Sequence, residues 1–224
     1  MSEQAPITSV PWDRAALGIE CYEITDLTAE SLRAALARPG HYTAKVDPLA
    51  DKRSLHDAGF YYCDTLIEPW CTSDRLARVS HPEVAFSDRV ALEPVAAIGR
   101  TAFRHGRFHR DFNIDNARAD RRYEAWLRQL HAEGRVLGLL FMGEVAGFIA
   151  HVDGALVLHA LGEAHRGRGL AKYFWSAVCD HLFAQGHEEL RSSISFVNMA
   201  ALNLYATLGF GFRKPVDVYH RVVS

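Results

Sequence analysis

Asn198, Tyr205 and the run His165-Arg166-Gly167-Arg168-Gly169-Leu170-Ala171 are the residues whose types and spacing suit chemistry. The run follows the apolar stretch Ala155–Leu161 and precedes apolar residues at Leu170, Phe174, Ala177, Val178 and Leu182, so it reads as strand, tight turn and helix. Such a turn presents free backbone N–H groups at a helix N-terminus, where partial positive charge collects and a phosphate binds. Two phosphate loops fail on inspection. For the ATP-type loop, Gly162 and Gly167 have the right spacing, but Arg168 and Gly169 stand where lysine and a hydroxyl residue are needed. For the dinucleotide fingerprint, Lys172 holds the place of the third glycine. Glu188 lies before the next strand, whereas the ribose-binding acid belongs at a strand's far end.

The loop resembles instead the pyrophosphate loop of the GNAT superfamily of acyl-CoA-dependent N-acyltransferases, Arg/Gln-x-x-Gly-x-Gly/Ala, through Arg166, Gly169 and Ala171. Asn198, Ala201, Tyr205, Gly209 and Phe210 then stand at the spacing of that superfamily's Asn-x-x-Ala-x-x-x-Tyr-x-x-x-Gly-Phe signature. The resemblance implies an α/β fold, a mixed and mostly antiparallel sheet flanked by helices. It implies acetyl-CoA as cosubstrate, with no metal, and direct attack of an amine on the thioester. Backbone groups at His159, Ala160 and Leu161 would hold the pantetheine arm like an added strand. Gly167, Arg168, Gly169, Leu170, Ala171 and Lys172 would hold the pyrophosphate, and Asn198 would contact the CoA arm. Tyr205 would protonate the departing thiolate, a step that suits a phenol with a reference pKa near 10. The residues themselves leave plainer roles open: Asn198 as a helix N-cap, and Tyr205 as a core tyrosine.

The general base is the gap. Many members of the superfamily carry a Glu or Asp on the strand before the Asn motif or on the strand before the glycine loop. Here RSSISFV and ALVLHAL carry no carboxylate. A narrower resemblance bears on this. Pro11-Trp12-Asp13, Leu17-Gly18, the AGFYYCD segment, Arg107-Phe108-x-x-Asp111 and Tyr123-x-x-Trp126 are similar to TDP-fucosamine acetyltransferases, two-domain GNAT enzymes acting on a nucleotide-linked amino sugar. That likeness implies a base at Asp64, one methylene shorter than Glu, acting through a water, with Glu68 in reserve. It also suits Arg104, Arg107 and Arg110 to a nucleotide diphosphate, which arginine grips bidentately. An exposed strand acid and a solvated charge run are the competing readings. His105 and His109 have i,i+4 spacing, but Gly106 between them and the lack of a third ligand argue against a metal site. His159 and His165 read as structural or solvent-facing.

The elements that must position these residues can be read along the chain. Residues 18–25 suit a strand, and Thr28 an N-cap for a helix over 29–38, with Leu27 and Leu32 as its hydrophobic staple. A strand over 41–46, a helix over 49–58 and a strand over 60–67 stopped by Pro69 follow. Leu55-x-x-Ala58-Gly59-Phe60 echoes Tyr205-x-x-Leu208-Gly209-Phe210, each leading into a strand. Residues 72–82 read as a linker, giving an N-terminal α/β domain over 1–80 and a GNAT domain over 81–224. In the latter, a strand within 83–90, helices over 92–103 and 118–132, and a hairpin of Val136–Phe141 with 145–152 lead to the glycine-loop strand. The stretch FRHGRFHRDFNIDN looks too polar and glycine-broken for a core element.

Composition bounds the rest. The 224 residues are 49% hydrophobic and 23% charged, as in a folded soluble protein. A net charge of -2 argues against a nucleic-acid partner. Four cysteines without Cys-x-x-Cys spacing point to free thiols and a cytoplasmic location. Residues 1–14 lack the apolar core of a signal peptide, and no apolar stretch reaches membrane-spanning length. The expected partner is a small-molecule amine, a nucleotide sugar above all, and the expected assembly extends to a homodimer. The alternatives are another amine (amino acid, polyamine or protein N-terminus) or a CoA-binding regulator without turnover.

Overall fold

The structure, a computed structural model, describes residues 7–104 and 106–224. His105 lies outside them, and with it the His105/His109 pair; so do the first six residues. The chain runs β1 (Ile7–Ser9), α1 (Pro11–Leu17), β2 (Cys21–Ile24), α2 (Ala29–Leu36), β3 (Gly40–Val46), α3 (Arg53–Asp57) and β4 (Tyr61–Thr72). It continues through β5 (Val84–Ser87), α4 (Leu92–Ala102), α5 (Asn116–Ala132), β6 (Val136–Phe141), β7 (Glu144–Val152) and β8 (Ala155–Leu161). Then come α6 (Ala171–Ala184), β9 (Glu189–Ser192), β10 (Ile194–Ser195), α7 (Met199–Thr207) and β11 (Gly211–Val223). From β5 onward this is the expected order, and the mixed, mostly antiparallel sheet flanked by helices is the expected fold. No helix among the described residues is long and apolar enough to cross a membrane.

The chain forms two compact units. One comprises residues 1–66, 105–122 and 215–224; the other comprises residues 67–104 and 123–214. The segments 1–80 and 81–224 are consecutive in sequence, whereas these units interleave.

In the first unit β1 pairs antiparallel with β2, and β2 lies parallel to β3, from Cys21 opposite His41 to Ile24 opposite Ala44. A parallel neighbour requires a crossover, and α2 supplies it. Thr28 caps α2 as expected, its hydroxyl accepting the Ser31 N–H at 3.3 Å. The C-terminal half of β11 closes this sheet antiparallel to β3, from Val46 opposite Asp217 to Gly40 opposite Val223. In the second unit the order is β4-β9-β8-β7-β6-β5. Only β8 and β9 are parallel, and α6 crosses between them.

The echo in sequence has a structural counterpart. β2-α2-β3-α3-β4 and β8-α6-β9-α7-β11 share element order, and each begins with a parallel pair. Their third strands are exchanged: β4 pairs with β9, and β11 pairs with β3. Both short helices end on the same cap. Phe60 N–H bonds Leu55 C=O and Phe210 N–H bonds Tyr205 C=O, across Gly59 and Gly209 at φ +74° and +85°. Glycine alone takes that turn without strain.

Four expectations need correction. Pro11 starts a helix that the sequence reading left out; proline suits the first helical position because its missing N–H has no partner there anyway. The helix over 49–58 shrinks to α3, because the Asp47 carboxylate takes the Leu49 N–H at 2.7 Å and folds the preceding residues into a turn. Pro69 does not stop β4, whose pairing with β9 begins one residue later at Trp70. The stretch 106–115 does enter a core: Phe108 and Ile114 pack with Val10, Leu17, Cys21 and Ala119.

That loop also carries the most buried polar cluster of the first unit. Asp111, 2% exposed, accepts from Tyr61 Oη (2.8 Å) and Asn113 N (2.9 Å) on Oδ1. Its Oδ2 faces His41 Nε2 (3.1 Å) and His220 Nδ1 (2.8 Å), and the Phe108 ring packs against both imidazoles. Burial would raise the Asp111 pKa, but the hydrogen bonds from His220, His41 and Asn113 outweigh it and hold the carboxyl well below its usual range. Burial pulls His220 down to about 3, against its hydrogen bond to Asp111.

Asp111→Ala should therefore cost about 1–3 kcal/mol for each buried donor it leaves without an acceptor, read by denaturant unfolding. The pH dependence has a defined direction. A carboxyl lowered in the folded state stabilises fully above its unfolded pKa and loses that contribution as pH falls toward the folded value. His220 adds to the same trend. Between its ordinary 6.5 and about 3 the unfolded chain binds a proton that the folded chain refuses. Stability should fall through that window, and less steeply in His220→Phe.

Candidate active site

β8 sits between β7 and β9 but is paired unequally. β7 follows it to Leu161, opposite Gly147, whereas β9 follows it only at Ala155 and Leu156. Beyond Leu156 the β9-facing edge of β8 has no partner in that ladder, so the backbone groups of residues 159–161 that point away from β7, apart from the Leu161 carbonyl, lie on an edge open to an extended ligand. The divergence places His159, Ala160 and Leu161 on the open stretch.

The glycine loop continues from this strand. After Gly162, Glu163–His165 form a single 3₁₀ turn. Arg166 Nε donates to Leu161 C=O at 2.8 Å and ties the loop back to the strand end. Gly167 and Gly169 take φ +69° and +71°, and a Cβ built on either meets nothing within 4 Å. The loop is thus open on the glycine side, and its glycines are required by conformation rather than by crowding. Arg168 lies over the Phe141 ring at 5.1 Å, and Lys172 over Tyr173 at 5.0 Å. No side chain caps α6, whose N-cap position is Leu170, so its first N–H groups are left for another acceptor.

Asn198 is the N-cap of α7, its Oδ1 accepting the Ala201 N–H at 3.2 Å. About two α7 turns later Tyr205 is fully buried, its ring against Phe210 at 4.8 Å. Its hydroxyl lies 2.9 Å from His159 Nε2. Burial pushes the phenol well above its ordinary pKa, against smaller opposing effects of Ser192 and Trp175. Burial pulls His159 down to about 4, opposed by a hydrogen bond to its own backbone. The reading of His159 as a backbone contributor alone missed this pairing; the lone ionisable side chain within ALVLHAL was the available signal.

The remaining candidates lie elsewhere. Asp64 belongs to the first unit, is fully buried, and is ion-paired with Arg110 Nη1 at 3.1 Å. A predicted base and a predicted substrate cation are thus brought onto each other. Arg107 packs its guanidinium over Phe108 at 4.8 Å. Arg104 is exposed, two residues past the end of α4 in the second unit. Glu68 is held by Arg213 Nε at 2.6 Å and Lys214 Nζ at 3.2 Å. Burial would raise its carboxyl, but these cations hold it below the usual range.

His41, Asp111 and His220 bring three potential metal-ligand atoms within 4.8 Å of one another. Asp111 Oδ2 already faces a nitrogen of each imidazole. The remaining His220 nitrogen, Nε2, is buried without a partner, whereas a metal-bound histidine normally hands its second N–H to an acceptor. The trio fits a hydrogen-bonded carboxylate better than a metal centre. All four cysteines are free and buried.

Comparison with known proteins agrees with this geometry. Residues 101–210 match the model of the Acetyltransferase (GNAT) family. A GCN5-related N-acetyltransferase from Sphaerobacter thermophilus superposes with a TM-score of 0.66 at 12% identity, over 96% of this chain and 76% of that one. A putative GNAT-family acetyltransferase from Novosphingobium aromaticivorans gives 0.58 at 14% identity, over 100% and 91%. A tandem GNAT protein from the clavulanic acid biosynthesis pathway gives 0.56 at 13% identity, over 91% and 75%. A search of curated proteins returned no match. Residues 101–210 are thus similar to the GNAT acetyltransferase domain, whose family uses acetyl-CoA, and the fold is that of GNAT proteins.

Gly169→Asp should abolish acetyl-CoA binding without unfolding the chain. The new carboxylate would project into open space beside the α6 N-terminus, repelling a pyrophosphate, while the loop absorbs the strain of φ +71°. Titration calorimetry on the folded variant checks it.

Proposed function

We propose that this acyltransferase domain moves the acetyl group of acetyl-CoA onto the amino group of a nucleotide-activated amino sugar, by direct attack of the amine on the thioester. The observation that carries the transfer chemistry is the early parting of β9 from β8, with the glycine loop at one end of the open edge and the His159–Tyr205 pair beside it.

The pantetheine arm adds to the backbone of residues 159–161 as an extra strand, and the pyrophosphate lies on residues 167–172 at the α6 N-terminus. Asn198 borders the arm while capping α7. Strand addition fixes the thioester relative to the protein, which converts a bimolecular encounter into an oriented one. The departing sulfur needs a proton, and the Tyr205–His159 pair is the ionisable couple nearest that edge.

The acceptor is a finer inference and rests on the arginines at 104, 107 and 110. Guanidinium groups in and beside a glycine-containing loop suit a diphosphate. Asp64, buried and ion-paired, supports that reading through Arg110, which it orients. A buried, ion-paired carboxylate has no direct route to an amine, so we assign it this orienting role rather than that of base.

Two kinetic outcomes test the proposal. Tyr205→Phe should lower kcat roughly 10²–10⁴-fold with little change in KM, the scale of a lost acid–base contribution. A variant keeping half its kcat would make the tyrosine structural only. Arg107→Ala should raise KM for a nucleotide amino sugar by the equivalent of about 1.5–3 kcal/mol, the worth of a charged hydrogen bond, and leave KM for acetyl-CoA unchanged. Turnover of free amines but of no nucleotide sugar would move the acceptor to amino acids, polyamines or peptides.

A further inference from the structure

The proton ledger of the reaction is incomplete as it stands, because β8 carries no carboxylate and the one on β9, Glu189, is taken up by the Arg213 guanidinium. We infer that His159 takes the proton from the attacking amine and delivers the same proton to the leaving thiolate, while Tyr205 acts behind it as the positioning residue. This rests on the acetyl-transfer reading above and divides the roles within its site.

The first ground is access. Tyr205 has no accessible surface, so a ligand laid along β8 does not touch its oxygen without rearrangement. His159 is only half-buried, and it is the one ionisable side chain of Ala155–Leu161. It stands on the stretch of β8 that β9 has left.

The second ground is the tautomer. His159 Nε2 lies 2.9 Å from Tyr205 Oη and 3.4 Å from Ser192 Oγ. Ser192 donates its only hydrogen to Leu156 C=O at 2.8 Å, so it presents a lone pair to the ring. In the tautomer this step requires, the Nε2 hydrogen faces both oxygens and the lone pair lies on Nδ1. Trp175 meets the ring edge-on at 5.1 Å and fixes its plane.

The third ground is the surroundings. The side chains around the imidazole are Ser192 from β9, Trp175 from α6 and Tyr205 from α7, with Ile149 opposite on β7 and the Cys179 thiol near the phenol. None is charged at neutral pH, and burial keeps the ring neutral too. A neutral imidazole can accept a proton at once, which an imidazolium cannot.

The step balances without an outside reagent. The nitrogen lone pair of the neutral amine forms the N–C bond, and the carbonyl π pair moves to oxygen. The nitrogen then loses a proton to Nδ1, and the ring becomes imidazolium with Nε2–H held by Tyr205. The oxygen pair returns, the C–S bond breaks with its pair on sulfur, and Nδ1–H passes its proton to sulfur. One proton has moved from nitrogen to sulfur, and the ring is neutral again. Tyr205 keeps its own proton throughout, as the orienting member of a nucleophile–base–orienter arrangement does.

The test is CoA release by His159→Ala, with the acceptor that serves the wild type best among nucleotide amino sugars, amino acids and polyamines. We expect kcat to fall roughly 10²–10⁴-fold, calorimetric affinity for acetyl-CoA to stay within twofold, and added free imidazole to restore part of kcat. Imidazole should do nothing for Tyr205→Phe, which retains its ring. His159→Asn serves if the alanine variant does not fold. Turnover of His159→Ala or His159→Asn within about twofold of wild type would overturn the inference, leaving the phenol as donor; so would a slow His159→Ala that binds acetyl-CoA normally and gains nothing from imidazole. A wild type that binds acetyl-CoA but acetylates no amine overturns the acetyl-transfer reading itself, a distinct result from an active wild type with an active His159 variant.

Discussion

The constraint on which the site depends is that a strand can pair on both edges, and β8 pairs fully on only one. β7 follows it to Leu161, and β9 leaves it after Leu156. An unpaired edge is normally a liability, since it offers hydrogen bonds to any passing chain. Here the glycine loop and α6 start at the end of that edge, and Tyr205 and Trp175 pack near it. His159 stays partly exposed there while its partner phenol is sealed. On the proposed reading, backbone recognition and proton handling are two consequences of one break in a ladder.

Much of the second unit was legible because its signals are local. Ala155–Leu161 is a continuous apolar run followed at once by two glycines at positive φ, and both strand and loop formed where expected. Asn198 caps α7 because a side-chain amide one residue before a helix has few better partners. The stretch 106–115 was misread because composition averages over it: the polar majority hides Phe108 and Ile114, which are buried, and Asp111, whose carboxylate is met by the distant residues 41, 61 and 220 as well as by Asn113. No window of sequence contains that information. The pairing of Asp64 with Arg110 and of His159 with Tyr205 was hidden for the same reason, since each joins residues 46 apart in the chain.

On the proposed reading, the repeated element order gives a reason for one cosubstrate site rather than two. Where the second repeat places Gly162 to Leu170 between strand and helix, the first places only Thr25-Asp26-Leu27-Thr28. Asp26 there accepts from Thr28 and Ser31 and is held below its ordinary pKa. An ionised carboxylate at that helix start occupies the positive end of the dipole that a phosphate would need. Leu55 stands at the cap position equivalent to Tyr205, so the first repeat also lacks the phenol.

The exchange of β4 and β11 has a consequence for how the chain can be divided. Neither half of the polypeptide encodes a finished sheet: the first supplies a strand that pairs with β9, and the second supplies the strand that closes against β3. Translation therefore leaves β3 without its outer neighbour until residues 217–223 emerge. A cleaved or split version would behave as two interlocking fragments that regain order only together, and the shortest truncation at the C-terminus would be felt first in the N-terminal sheet.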